Sequence, residues 1–257
     1  MMRRTMIALV LAGALGLAGC ETMPAKAPTE ASRAGTVFRD CALCPAMVVV
    51  PPGRFLMGVD GGEKDRYEGP VREVRIGRPF AAGRYEVTQG EYAAFVNATG
   101  HVGGQGCNVW RSATRTLERD ATLDWRNPGY GRPPRDDEPV ACISWNDAQA
   151  YVAWLRATSG EPYRLLTEAE WEYTCSRAFN QTDPLERHGW YYQKKLQQVG
   201  LKQADQLGLY DLIGNAWEWT SSDYKPYVEG AHQLASSNAT SNKAIRGGSA
   251  RTNKNFI

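Results

Sequence analysis

The stretch Gly208-Leu209-Tyr210-Asp211-Leu212-Ile213-Gly214-Asn215-Ala216-Trp217-Glu218-Trp219 constrains the fold of this chain more than any other segment. Its twelve residues hold two Trp, a Tyr, two Gly and two carboxylates. They follow neither a 3.6-residue nor a 2-residue hydrophobic period, so a surface helix and an alternating strand both fit poorly. The segment reads as an ordered loop, with glycines permitting tight backbone paths and aromatics anchoring it. Two readings of its acids follow. Asp211 and Glu218, with the carbonyls of Gly214 and Ala216, could cage a hard cation such as Ca2+. Alternatively, this is a packed aromatic loop whose carboxylates meet arginines.

The N-terminus reads as an export signal. Arg3 and Arg4 precede the apolar run Met6–Leu17, which is short for a membrane span and ends in small residues. Leu17-Ala18-Gly19-Cys20 resembles a bacterial lipoprotein box. That resemblance implies removal of residues 1–19, lipidation of Cys20 and a place in the bacterial cell envelope. Glu21, where Asp would retain the protein at the inner membrane, implies the outer membrane, facing the periplasm or the surface. Residues 20–36 are rich in Ala, Pro, Thr and charge, with little to bury, and read as a tether. Extended, the tether would reach about 50 Å. Without the two arginines of the signal, the 30 basic and 28 acidic side chains become equal in number. A neutral chain gives no reason to expect nucleic-acid binding. Residues 37–257 fit one large domain.

Of the six cysteines, Cys20 is assigned to lipid. Cys107 and Cys142 flank a Trp- and Arg-rich loop and are expected to pair. Cys41 and Cys44 form either a structural disulfide or two half-partners of distant cysteines. A thioredoxin-like redox pair is disfavoured, because no βαβ pattern surrounds them. Cys175 has no obvious mate. His101, His188 and His232 lack the grouping of a metal triad, and each reads as a solvated loop residue.

Three helices are announced by capping boxes: Thr88-Gln89-Gly90-Glu91, Ser144-Trp145-Asn146-Asp147 and Thr167-Glu168-Ala169-Glu170. Met47–Gly58 reads as strand, Pro-Pro-Gly turn, strand, and Val71–Ile76 as a half-exposed strand. Residues 101–139 read as irregular chain anchored by Trp110 and Trp125, and residues 178–207 show no strong pattern. Ala244–Ser249 reads as a short strand ending in a Gly-Gly bend. The balance is α+β, with function on loops.

Five blocks, taken in order, resemble the formylglycine-generating enzyme (sulfatase-modifying factor) family. They are Met47–Gly58, Tyr85–Tyr92, Pro139–Trp145, Tyr163–Tyr173, and Gly208–Trp219 with Arg246-Gly247-Gly248-Ser249. The resemblance implies a C-type-lectin-like α+β fold low in regular secondary structure. It also implies a structural calcium held by Asp211, the carbonyls of Gly214 and Ala216, and Glu218. The family's copper(I) is held by two cysteines, three and eight residues after Gly-Gly-Ser. Thr252 and Ile257 stand there, and neither can replace a thiolate. Copper is therefore not expected, and no catalytic residue is assigned. The family pattern continues beyond the equivalent of Ile257 and supplies a partner for the equivalent of Cys175. The expectation is a domain lacking its C-terminal end and a reduced Cys175.

Three functions remain open on this reading. One is a non-copper member of the superfamily acting in the envelope, as exported members that mature secreted metabolites do. Another is a lipoprotein that binds or displays, with a protein or small-molecule ligand on the lectin-like scaffold, as retroelement targets do. The third is an inactive truncated paralogue.

Overall fold

The computed structural model describes residues 33–61, 66–111, 114, 116–178, 184–227 and 241–252. The signal segment, Cys20, His232 and Ile257 lie outside them. Residues 33–36, read as the end of the tether, belong to the fold: Gly35 N donates to Val49 O (2.9 Å) and Val49 N to Thr36 O (3.0 Å).

Strand β2 (Met47–Val50) lies between β1 (Val37–Phe38) and β5 (Phe80–Gly83), antiparallel to both. Covered on both faces, it is apolar at every position, and Val48 and Val50 are fully buried. Strand β3 (Gly53–Met57) follows the Pro-Pro turn but does not pair with β2. It runs antiparallel to β4 (Arg72–Ile76) instead. Pro51 and Pro52 have no N–H to give a tight hairpin ladder, so the turn moves the chain between two sheets.

All three boxed helices form. In α1 (Gln89–Thr99) and α2 (Trp145–Ser159) the cap hydroxyl accepts from the N3 amide while the N3 acid accepts from the cap amide. Thr167 and Glu170 exchange the same pair of bonds at the start of α3 (Glu168–Ala178). Their apolar faces, spaced three and four residues apart, are inside: Tyr92, Phe95 and Val96 from α1 meet Tyr151, Val152 and Leu155 from α2, with Trp125, Val140 and Tyr163 around them. A second core joins Val48, Val50 and Ala82 to Tyr173 of α3 and to Leu209 and Leu212 of the aromatic loop.

Residues 101–139 are more regular than their composition suggests. β6 (Cys107–Arg111) and β7 (Thr116–Asp120) form an antiparallel hairpin. Cys107, at its base, is bonded to Cys142, and Cys41 to Cys44; Cys175 is unbridged. Two of the histidines expected to be solvated are held. His101 Nε2 lies 2.8 Å from Asp147 Oδ1, and His188 is 4% exposed with Nδ1 on Gln203 O. The remaining strands build the site: β8 (Gly189–Trp190) runs parallel to β9 (Ile213–Gly214), and β10 (Glu218–Asp223) antiparallel to β11 (Lys243–Arg246).

Candidate metal centre

The aromatic loop is fixed residue by residue. At its entry, Asp205 Oδ1 accepts from the amides of Leu207 (2.7 Å) and Leu209 (2.8 Å), closing a turn. Leu209 and Leu212 then plug the second core. Between them the backbone reverses at Asp211, with φ +58°, a left-handed conformation that Asp tolerates better than most residues. At Gly214, φ is +78° and a Cβ would lie 1.9 Å from Trp190 O, so only glycine fits.

Asn215, fully buried and also left-handed at φ +52°, ties the neighbouring segments together. Its amide donates to Trp190 O and its Oδ1 accepts from Gln197 N. Its Nδ2 donates to Glu86 Oε2 (2.7 Å) and Gln197 O (3.2 Å), and its carbonyl accepts from Ala250 N (2.7 Å).

These contacts gather three carboxylates. Glu218 Oε2 accepts from Trp171 Nε1 (2.9 Å). Asp211 Oδ2 accepts from Gly200 N (2.6 Å), whereas Asp211 Oδ1 is buried without a hydrogen-bond partner among the described residues. Glu86 accepts from Asn215 Nδ2 and, at 2.7 Å, from Ala216 N. The arginine partners of the alternative reading are not found on Asp211 or Glu218 among the described residues.

Burial is the main force on all three acids. It pushes Asp211 up to about 6 against the opposing Gly200 amide and Lys202 charge. It pushes Glu218 up to about 7, with the Asp211 charge adding and Trp171 opposing. Glu86 is driven well above the usual carboxylate range by burial and then by the charges of Asp211 and Glu218. The centre thus has an excess of oxygen and negative charge, and it contains an orphaned buried oxygen. That donor set suits a hard cation. Among the described residues no group of three His, Cys, Asp or Glu side chains could hold a metal ion by itself. A cation here would therefore draw on backbone carbonyls as well as side chains.

Glu86 and Asn215 were not singled out from the sequence. The one available signal for Glu86 was its place in Tyr85-Glu86-Val87, an acid between apolar residues just before a helix cap. In a chain with so many charged residues, that signal is faint.

Beside the centre, the segment after Gly247-Gly248 folds into a closed turn. Ser249 N donates to Thr252 Oγ1 (3.0 Å), and Thr252 Oγ1 donates to Ser249 O (2.7 Å). Ala250 is fully buried, and Gln193 N and Tyr192 N reach the carbonyls of Ala250 and Thr252. Half-buried Cys175 lies nearby. Burial, followed by the charge of Glu172, pushes its thiol up to about 12.

Comparison with known proteins agrees with this architecture. Residues 33–257 match the family described as "Sulfatase-modifying factor enzyme 1-like domain". The mouse protein named "Inactive C-alpha-formylglycine-generating enzyme 2" is 32% identical over 226 residues, covering 71% of this chain and 70% of that protein. The formylglycine-generating enzyme of Thermomonospora curvata is 32% identical over 224 residues, covering 69% and 71%. The solved structure of PvdO from Pseudomonas aeruginosa superposes with a TM-score of 0.70 at 29% identity, over 87% of this chain and 89% of that one. The chain belongs to the formylglycine-generating enzyme (sulfatase-modifying factor) family and has its α+β fold.

Proposed function

We propose that this protein is an envelope-anchored family member that does not make formylglycine by copper chemistry and holds one structural Ca2+ in the Asp211–Glu218 loop. The state of Thr252 carries the reading. At the position of the family's first copper thiolate stands a hydroxyl, and that hydroxyl is already engaged in closing the Ser249 turn. A hydroxyl is a poor ligand for Cu(I), which favours soft sulfur. Cys175 offers no substitute, because its thiol stays protonated at neutral pH.

The residues that would hold calcium are Asp211 and Glu218, with the carbonyls of Gly214 and Ala216. The orphaned Asp211 oxygen and the raised values of both acids support this assignment. When bound, the ion supplies positive charge to a buried acidic cluster and locks the loop. Glu86 completes the site from outside, holding Asn215 and the Ala216 amide so that the turn keeps its path.

Anchoring through Cys20, at an outer membrane, rests on the Leu17–Cys20 box. The two disulfides agree with an exported protein. No described helix is long and apolar enough to cross a membrane. An inactive paralogue on the same scaffold is the second reading, favoured by the likeness to the mouse relative named as inactive.

The test is an assay of the full chain with copper, O2 and a peptide carrying a sulfatase motif, read by mass spectrometry. The cysteine of the peptide should remain unmodified. Stoichiometric formylglycine would overturn the proposal.

A further inference from the structure

Strand β4 carries Arg72, Arg75 and, just beyond it, Arg78. All three line a cavity of about 360 Å³ together with Arg164 and Glu170. The apolar residues Val74, Ile76, Pro79 and Phe80 also line it. The charges of this cavity do not balance. Glu170 is consumed by Arg164 through two parallel bonds of 2.7 Å. Arg72 is held over the Tyr227 ring at 4.6 Å and faces the inner carboxylate Glu172. The side chains of Arg75 and Arg78 have no hydrogen bond or ion pair with any described residue. Arg75 is, moreover, the cross-strand partner of Arg54, so two guanidiniums sit directly opposite on the ladder. Like charges so placed are destabilising. Arg54 has Glu73 at 2.7 Å, whereas Arg75 has no acid to relieve it.

We infer that this cavity is a binding site for an oxyanion of the phosphate or sulfate class attached to an apolar body. Arg75 and Arg78 hold the anion and Pro79 with Phe80 receives the apolar part. Guanidinium forks match such oxyanions in geometry and charge. The volume suits a small headgroup or metabolite rather than a polymer. The site is separate from the acidic centre and does not depend on the function proposed above.

The test uses the full chain, kept unlipidated by Cys20→Ser, at low ionic strength. Binding of pyrophosphate and of sulfate is followed by calorimetry, and binding to phosphatidylglycerol vesicles against phosphatidylcholine vesicles by co-sedimentation. Arg75→Gln/Arg78→Gln removes the two free cations, and Lys194→Gln/Lys195→Gln removes the same charge from an exposed segment elsewhere. All four positions are exposed, so both variants should melt like the parent chain. Saturable pyrophosphate or sulfate binding that weakens at least tenfold in the arginine variant alone identifies a soluble ligand. Selective binding to phosphatidylglycerol with the same dependence identifies a lipid headgroup. No saturable binding of any probe, or equal weakening in both variants, would overturn the inference.

Discussion

Gly208 and Gly214 share a left-handed backbone but not surroundings, and substitution separates the two causes of glycine usage. At Gly208, with φ +90°, an added Cβ meets nothing within 4 Å. Gly208→Ala should therefore cost only the backbone term, about 1–2 kcal/mol. Gly214→Ala drives a methyl into Trp190 O and should cost more than ~4 kcal/mol, read as loss of the cooperative melt. The acids beside it yield a pH prediction. Asp211 and Glu218 hold their protons more tightly in the fold, at about 6 and about 7, than at their ordinary 3.8 and 4.5. Between about pH 4 and 7 the unfolded chain ionises first, so this pair's contribution to stability falls as pH rises and the penalty is complete above pH 7. In chelator, the melting temperature should drop by roughly 10 °C from pH 5 to pH 8 on this account. Millimolar Ca2+ should remove the drop, and Glu218→Ala should abolish the Ca2+ response. A flat chelator profile with no calcium effect would refute the site. Asp211 and Glu218 stand out in the sequence as acids beside turning glycines, and the structure brings both into the buried acidic centre. Glu86 was not, because its burial is imposed by partners 129 and 130 residues away.

Local rules placed the helices because a capping box is a short-range device, complete within four residues. Thr88→Ala removes the acceptor for Glu91 N and should cost about 1 kcal/mol, a shift of ~2–4 °C in the melt. A shift within error would mean that tertiary packing alone sets the start of α1. The hairpin of β6 and β7 escaped the same reading for a physical reason. Four of the five residues in β7 are exposed, so no apolar alternation marks the strand. What fixes its base is covalent. The Cys107–Cys142 bond closes a separation of 35 residues, and in the chain-entropy model such a closure contributes about 4 kcal/mol. The double Cys→Ala variant should lose stability of that order in denaturant melts. A loss below ~1 kcal/mol would show that the hairpin is held by its packing.

For the molecule as a whole, ordered sequence blocks revealed the family, whereas long-range pairings emerged only in three dimensions. β8 and β9 are two residues each, too short to carry a period, and they exist because Gly214 lets the loop run against Trp190. The Ser249–Thr252 turn likewise depends on Asn215, which accepts the Ala250 amide. Among the described residues Cys175 is the one cysteine without a bridge, which gives a molecular prediction: it should be recovered as a free thiol in non-reducing peptide maps. A bond from it to Cys107 or Cys142 would contradict this pairing. On the function proposed above, the family fold carries a changed reaction centre, in which a threonine hydroxyl serves the turn where sulfur would serve copper. A Cu(I) titration of the folded full chain against a chromophoric chelator addresses that claim most directly. It predicts no copper retained beyond the weak affinity of a lone thiol. A tight one-to-one complex, lost on Thr252→Ala, would contradict it.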